Sequence, residues 1–229
     1  GRVFVIDPAG GDQPFEVYRT GLSYGGKSAA SPLAIAWDDH GEQLLLIDQE
    51  RLLFSLAPGS TPTMLVLRDA EELSSIESIA AYAGNLYVLD NDSGEVWRYL
   101  PAGMGYDSER AGLIGGIPLD GTQKLAVDGD LFLLTEGAIR HFSLGRELSP
   151  LLQGIDRPLN GPAGVAEDIT RGLLYVADRG GRRIVVGDRE GAYLRQYVHP
   201  RFLDLRGIAL TQDGDTLFVL TGDGIDVFE

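Results

Sequence analysis

The chain of 229 residues has no cysteine, only two lysines and three histidines. Without cysteine it can form no disulfide bond, no thiolate metal site and no cysteine nucleophile. No segment contains the roughly 18 consecutive apolar residues of a membrane-spanning helix, so we expect no membrane insertion within this chain. Acidic residues outnumber basic residues by 34 to 19, which gives a net charge of −15. Because such a surface repels phosphate backbones, nucleic acid is not an expected partner.

Residue patterns that support catalysis are also scarce. His40, His141 and His199 fall in a turn, a predicted third strand and a loop, so they do not converge on a metal site or proton shuttle. The sequence has no G-x-S-x-G nucleophile elbow, no phosphate-binding glycine loop and no zinc-ligand spacing. We therefore expect no catalytic residue, no metal and no cofactor, and an enzyme is the less favoured class.

What the sequence does contain is an internal repeat. Five short strand patterns align on one alanine, at intervals of 44, 46, 40 and 43 residues: Ala36, Ala80, Ala126, Ala166 and Ala209. A small residue at this position lets neighbouring backbones approach where inner strands crowd around an axis. A period of this length is typical of four-stranded repeat units.

Each alanine is followed by a polar turn, a near-continuous apolar run and a third strand. The apolar run, as in residues 43–48 and 173–178, is expected to be buried on both faces. A weaker fourth strand follows in most units, at residues 63–67, 149–155 and 192–198. Such units, repeated radially, are the blades of a β-propeller, so the sequence predicts an all-β propeller with five visible blades. A β-sandwich with regular turns, the alternative, does not require the same alanine five times.

The two ends of the chain both offer outer strands. Residues 1–22 and residues 94–114 share a third-to-fourth strand pattern with Pro-Ala-Gly at the turn. We therefore predict a single domain, residues 1–229, in which residues 1–22 complete the blade formed by residues 206–229. Six blades are the alternative, if an inner hairpin upstream of Gly1 is missing.

Residues 164–197 resemble an NHL repeat. The matching elements are Gly164-Val165-Ala166, Leu174-Tyr175-Val176-Ala177-Asp178, Arg183-Ile184 and Gly191 before the fourth strand. Residues 79–100 form a looser copy, and the other blades match in hydrophobic pattern only. No Trp-Asp dipeptide ends a strand, so the tryptophan-aspartate repeat family fits poorly.

The resemblance implies an NHL-type propeller that binds a protein or a ligand, frequently as an extracytoplasmic sensor. Residues 85–108 are also similar to propeller segments of bacterial proteins with a membrane segment and a signalling domain. The resemblance therefore favours a sensor or scaffold module of a larger bacterial protein, extracytoplasmic or membrane-tethered. Some six-bladed relatives are lactonases with a calcium ion in the central channel, so a calcium-dependent lactonase-like hydrolase is one alternative. A structural spacer in an envelope assembly is another.

Aspartate or threonine closes the second strand of every unit: Asp48, Asp90, Thr135, Asp178 and Thr221. At the start of a turn, a short oxygen side chain caps backbone N–H groups, so we interpret these residues as turn residues and not as metal ligands. Residues 38–42, 90–94 and 212–215 resemble fragments of calcium loops but lack the full set of alternating oxygens. Hairpin turns explain them better, and weak calcium binding stays open as an alternative.

The mouth of the predicted channel is the first candidate for a binding site, because the inner strands begin there. The polar and charged residues at these positions are Glu77, Gln123, Lys124 and Arg206, and Asn160 lies nearby on a loop. Among the three charged side chains there is one carboxylate beside two cations, which opposes calcium and favours an anionic ligand or a structural ring of ion pairs.

The longest irregular connection, residues 100–121, is the second candidate, since long loops in compact repeat folds often bind partners. Its expected contact residues are Met104, Tyr106 and Arg110, and a plain outer-strand connection is the alternative. The expected function is a non-enzymatic propeller that binds a protein partner or a small ligand on one face or at the channel mouth.

Overall fold

The computed structural model describes residues 1–6, 14–57, 59–148, 151–211 and 213–229. They form two compact units, Gly1–Leu119 and Asp120–Glu229, both built from β-strands. The helical element of the described chain is one 3₁₀ turn, Ala70–Glu72. No described helix is long or apolar enough to cross a membrane.

The first unit contains two hairpins and two blades. The hairpins are β1 (Arg2–Val5) with β2 (Phe15–Arg19), and β3 (Ser23–Tyr24) with β4 (Lys27–Ser28). The first blade is an antiparallel sheet in chain order: β5 (Pro32–Asp38), β6 (Gln43–Asp48), β7 (Leu53–Leu56) and β8 (Thr63–Leu67). The second blade contains β9 (Ile76–Tyr82), β10 (Asn85–Asp90) and β11 (Glu95–Tyr99). Next, β12 (Gly105–Tyr106) joins β8 in parallel, and β13 (Ala111–Gly112) completes the second blade.

The second unit contains three blades. The third consists of β14 (Lys124–Val127), β15 (Leu131–Leu134), β16 (Ile139–Ser143) and β17 (Arg146–Glu147). The fourth consists of β18 (Pro162–Asp168), β19 (Leu173–Asp178), β20 (Arg183–Asp188) and β21 (Tyr193–Val198). The fifth has three described strands, β22 (Leu205–Leu210), β23 (Leu217–Thr221) and β24 (Ile225–Phe228). Five successive blades make the fold an all-β, NHL-like β-propeller, which confirms the fold predicted from the repeat.

The anchor alanines occupy equivalent positions in all five blades. Each lies on the innermost strand and pairs with one residue of the second strand, in the order Leu45, Tyr87, Phe132, Tyr175 and Phe218. Neighbouring inner strands do crowd: a Cβ atom at Gly164 of β18 would lie 3.0 Å from the Cα atom of Gly207 on β22. Small residues are therefore required where these inner strands meet.

The second strands are buried, as predicted. The strands β6, β10, β15 and β19 are buried along most of their length.

In the first unit the opening hairpin packs on the first blade. The ring of Tyr18 lies 5.5 Å from the rings of both Tyr24 and Phe54. The hydroxyl of Tyr18 donates to the carbonyl of Ala30 at 2.8 Å, which fixes β2 against this blade.

A buried ion pair lies in the fourth blade, at one of the positions that resemble the NHL pattern. The Nε–H of Arg183 donates to Oδ2 of Asp178 at 2.7 Å, and neither side chain is exposed. The remaining guanidinium N–H groups donate to two side chains and two carbonyls, of Asp156, Gln196, Arg157 and Pro158. With its donors engaged, this arginine holds residues 156–158 against β20.

The fourth strand of the third blade differs from the prediction. It is Arg146–Glu147, directly after β16, whereas residues 151–155 contain one isolated bridge, from Gln153 to Ala192. Residues 149 and 150 of the predicted strand lie outside the described residues. The reason is a tight turn in which Leu144 and Gly145 both have positive φ, and a leucine gives no sequence signal for such a turn. The completion of the fifth blade by residues 1–22 stays a prediction.

Candidate functional site

The aspartates that end the second strands are structural caps, as predicted. Oδ2 of Asp48 accepts the N–H of Ala30 at 2.9 Å, and Asp178 accepts the N–H of Asn160 at 2.7 Å. Asp90 likewise accepts the N–H of Ser75 at 2.8 Å. In each case the donor belongs to the segment that leads into the innermost strand of the same blade. The carboxylate thus fixes the entry of that strand, and a short acidic side chain is needed there.

Two of the three segments that resemble calcium loops form hairpin turns, and Gln212 of the third segment lies outside the described residues. In residues 38–42, Asp38 accepts the N–H of His40 at 3.2 Å and the side-chain N–H of Gln43 at 3.1 Å. In residues 90–94, Gly94 has a φ of 66°, which closes the turn between β10 and β11. Within the described parts of the chain, no group of three or more histidine, aspartate or glutamate side chains is placed to hold a metal ion.

The five residues predicted at the channel mouth are all exposed. In the first unit, Glu77 on β9 accepts a hydrogen bond from the hydroxyl of Ser75 at 3.3 Å. In the second unit, Gln123 and Lys124 begin the third blade, and Arg206 on β22 forms an ion pair with Asp204 at 2.8 Å.

Asn160 precedes β18, and its carbonyl accepts the N–H of Gly180 at 2.7 Å. The described contacts of Glu77, Asn160 and Arg206 are thus local, each within its own blade or the segment leading into it. A common ligand site at these residues stays a prediction.

The three candidate contacts of the loop at residues 100–121 lie in different environments. Met104 is 74% exposed, whereas Tyr106 is 4% exposed and belongs to the core of the first unit. The guanidinium of Arg110 stacks 4.2 Å from the ring centre of Trp97 and pairs with Glu72 at 2.5 Å. Of the three, Met104 alone offers a freely accessible surface, and its role in binding stays a prediction.

Glu95, which the sequence did not single out, organises the second half of this loop. Its buried carboxylate accepts the backbone N–H groups of Leu113, Ile114 and Gly115 at 2.8, 2.7 and 3.0 Å. It also accepts the N–H of Val96 at 2.9 Å. One carboxylate therefore accepts three successive backbone N–H groups of this segment, of which that of Leu113 also donates to the carbonyl of Val96 at 3.1 Å.

The second unit contains an apolar cleft that sequence reasoning missed. It has a volume of about 410 Å³ and is lined by residues of the fourth and fifth blades and of the loop between β21 and β22. Its aromatic lining residues are Tyr175, Tyr197, His199, Phe202 and Phe228. These residues lie on three strands and a loop, far apart in the sequence, so no local motif marks them.

Three of these rings form a mutually supporting cluster. The ring centres of His199 and Phe228 are 5.2 Å apart, and Phe202 lies 5.6 Å from both. Tyr197 is more accessible, at 43% exposure, and its hydroxyl accepts the Nε–H of Arg195 at 2.8 Å. The cleft thus combines a fixed aromatic base with an accessible tyrosine.

The rim of the cleft is acidic. Asp215 and Glu229 line it, and Asp215 pairs with Arg171 at 2.6 Å. An apolar interior with a charged rim is the usual anatomy of a protein–protein contact site.

A separate group of ionisable residues lies between the third and fourth blades, with Asp128 buried and Arg189 partly exposed. Nη2 of Arg189 lies 2.5 Å from the carboxylate of Asp128, and Glu167 of β18 is close to both. Burial, and then the charge of Asp128, raise the pKa of Glu167 to about 8. Oε1 of Glu167 is buried without a hydrogen-bond partner. Glu167 is therefore neutral in the folded protein near neutral pH.

This pKa predicts a pH dependence of stability. The usual pKa of Glu167 is 4.5, so between pH 4.5 and about 8 the folded state binds the proton that the unfolded state has lost. The free energy of unfolding should fall as pH rises through this window and then level off. In Glu167→Gln this part of the fall should disappear. Urea unfolding of both proteins at roughly pH 5.5 and roughly pH 8.5 tests it, and an equal pH dependence in both would contradict the prediction.

Comparison with known proteins finds no matching family model and no matching curated protein. Solved structures match in fold. A nidogen/laminin complex is similar over 88% of this chain and 76% of that chain, with a TM-score of 0.67 and 18% identity. A gluconolactonase from Xanthomonas campestris is similar over 88% and 73%, with a TM-score of 0.63 and 20% identity. A streptogramin B lyase is similar over 99% and 72%, with a TM-score of 0.60 and 14% identity.

All three share the propeller fold. At these identities the likeness extends to the fold alone, since one propeller architecture supports unrelated functions.

Proposed function

We propose that this protein is a non-enzymatic propeller that binds a protein partner through the aromatic cleft of its second unit. The observation that carries this proposal is the cleft itself. It is the one described surface where a cavity of about 410 Å³, fixed aromatic rings and an accessible tyrosine occur together.

Aromatic side chains dominate binding energy at protein interfaces because they bury large areas with little loss of conformational freedom. Here Phe202 and Phe228 are already held by packing, so a partner orders few further side chains when it binds. The solved nidogen/laminin complex supports this choice, because its structure is that of an assembly with another protein and it is similar to this chain in fold.

The net charge of −15 and the acidic rim favour a partner segment with basic residues beside its apolar side chains. Sensor function in a larger protein, as the NHL resemblance implies, is compatible with such a site.

The binding role can be tested with peptides selected from a random phage-displayed library and then synthesised. Tyr197→Ala should raise the Kd of a selected peptide at least about tenfold, because it removes an aromatic contact in the cleft. Leu194→Ala is the matched control, since Leu194 lies on the same strand with 45% exposure and does not line the cleft. Equal affinities of the two variants, or no enrichment over an unrelated protein, would overturn the proposal.

A calcium-dependent lactonase-like hydrolase is the competing function, and it predicts a specific bound calcium ion. A specific calcium site raises the free energy of unfolding by about 2.7 kcal/mol when the calcium concentration is 100 times the Kd of the site. We expect instead that Tm in calcium and Tm in chelator agree within about 1 °C. A calcium-dependent rise of several degrees would favour the hydrolase, and lactone hydrolysis should then be assayed.

A further inference from the structure

We propose that the turn between β19 and β20, with the adjoining start of β22, binds the carboxylate group of a small ligand or of an acidic peptide. The site consists of one amide and three guanidinium groups, those of Asn160, Arg179, Arg182 and Arg206. All four residues are exposed, and none of them lines the aromatic cleft. Carboxylate binding is therefore a second role, independent of the partner site proposed above.

Arg179 is anchored through one donor and keeps its other donors free. Its Nε–H donates to the carbonyl of Leu205 at 2.8 Å, so a side chain of the fourth blade reaches the start of the fifth. No other described residue accepts a hydrogen bond from this guanidinium or forms an ion pair with it. Its two NH2 groups therefore form a fixed and exposed fork, and the N–H donors of such a fork match the two oxygens of a carboxylate.

Backbone contacts place Asn160 beside the same turn. Gly180 follows Arg179, and its N–H donates to the carbonyl of Asn160 at 2.7 Å. A Cβ atom at Gly180 would lie 2.4 Å from Nδ2 of Asn160, so the side-chain amide lies directly on the turn. Glycine at this position makes room for the amide, whose N–H groups add donors for an oxyanion next to Arg179.

Arg182 completes the turn in a backbone conformation that favours glycine. Its φ is 51°, and its N–H donates to the carbonyl of Arg179 at 3.1 Å. Gly94 occupies the equivalent position in the second blade, with a φ of 66°. A residue with a side chain is strained in this region, and such strain is concentrated at functional sites. The guanidinium of Arg182 has no partner among the described residues, so its charge is available to a ligand.

The ion pairs around the turn leave an excess of positive charge. Arg206 is paired with Asp204 through Nε and Nη2, at 3.0 and 2.8 Å. The carboxylate of Asp178, which begins the turn, is buried in its own ion pair. Neither Arg179 nor Arg182 has a carboxylate partner in the described parts of the chain, although the net charge of the protein is −15. Two uncompensated cations in one turn attract an anionic group.

The test measures the binding of sodium succinate and of hexaglutamate at constant ionic strength, through the NMR signals of the backbone amides of Gly180 and Gly181. Both probes should shift these signals saturably. Arg179→Gln should raise each Kd at least about tenfold, because it removes the fork. Arg182→Gln should raise each Kd at least about threefold, with Tm unchanged within about 1 °C, since its side chain forms no bond to the described residues.

Two control variants are expected to change each Kd less than about twofold. Arg146→Gln removes the same charge from β17 of the third blade, where Arg146 is also exposed and has no ion pair with a described residue. Tyr197→Ala alters the aromatic cleft, so carboxylate binding should persist in this variant even if the cleft binds no partner.

The two probes distinguish the source of the carboxylate. A Kd of hexaglutamate at least about tenfold below that of succinate would assign the site to an acidic peptide. Similar values for the two probes would assign it to a small carboxylate ligand.

Four results would each overturn carboxylate binding. The first is the absence of a shift with succinate up to about 100 mM and with hexaglutamate up to about 5 mM. The second is an equal shift with sodium chloride at the same ionic strength. The third is an equal loss of affinity in Arg146→Gln and Arg179→Gln. The fourth is tighter binding of inorganic phosphate than of succinate, which would mean that the site does not select a planar carboxylate.

Discussion

Replacing Arg183 by methionine is expected to lower the free energy of unfolding by about 3–5 kcal/mol. The substitution leaves the carboxylate of Asp178 buried without its cation, and it also removes the donors that hold residues 156–158. Urea unfolding followed by fluorescence measures the loss. Within the second unit, the backbone amides of the segment before β18 should be the first to exchange their hydrogens with solvent.

Two further variants separate the buried pair from a general effect of charge. Arg140→Met breaks an accessible pair with Glu147, at 2.7 Å, and should cost less than about 1 kcal/mol. Combining Arg183→Met with Asp178→Asn removes the unpaired charge, so the double variant should be less destabilised than the sum of the two single variants. A loss in Arg183→Met no larger than that in Arg140→Met would show that the buried network contributes little.

The second large effect is expected at Glu95. In Glu95→Gln one carboxylate oxygen becomes an NH2 group that faces backbone N–H donors, so at least one of its four hydrogen bonds is lost and a donor is left buried. We expect a loss of about 3 kcal/mol in the free energy of unfolding, because hydrogen bonds to a charged acceptor are the strong ones. The amides of Ile114 and Gly115 should exchange at least about tenfold faster.

Glu109→Gln is the matched control, since Glu109 is an exposed residue of the same loop. Its stability should change by less than about 0.5 kcal/mol. If the two variants behave alike, the loop is held by its packing and not by the carboxylate of Glu95.

Much of the fold was predictable because it is encoded locally and repeated. One alanine per unit and one apolar run per unit are enough to place the inner two strands of each blade. In the observed register, Ala36 pairs with Leu45 in the first blade, and Ala166 pairs with Tyr175 at the equivalent position of the fourth. The turn-capping role of Asp48 and Asp178 was predictable for the same reason, since they accept N–H groups of Glu50, Leu52 and Gly181, which follow them directly in the sequence. Their bonds to Ala30 and Asn160, 18 residues earlier, were not predictable. The fourth strand of the third blade was misplaced because Leu144 carries no signal for a positive φ.

The candidate site was not predictable in the same way. Exposed polar residues such as Lys124 and Arg206 can be assigned to strand starts, but the sequence does not say what they contact. Tyr106 could not be distinguished from an exposed loop residue, because its burial depends on the parallel pairing of β12 with β8. Tyr197 and Phe228 line one cleft only because the fourth and fifth blades pack side by side.

By itself the sequence determined the order of the inner strands, the propeller fold and the residues that cap the turns after the second strands, because these depend on the periodicity and turn chemistry of short segments. The tertiary structure alone decided the aromatic cleft, the carboxylate of Glu95 beneath its loop and the raised pKa of Glu167. Each of these depends on burial and on contacts between residues distant in the chain, and no local pattern specifies them.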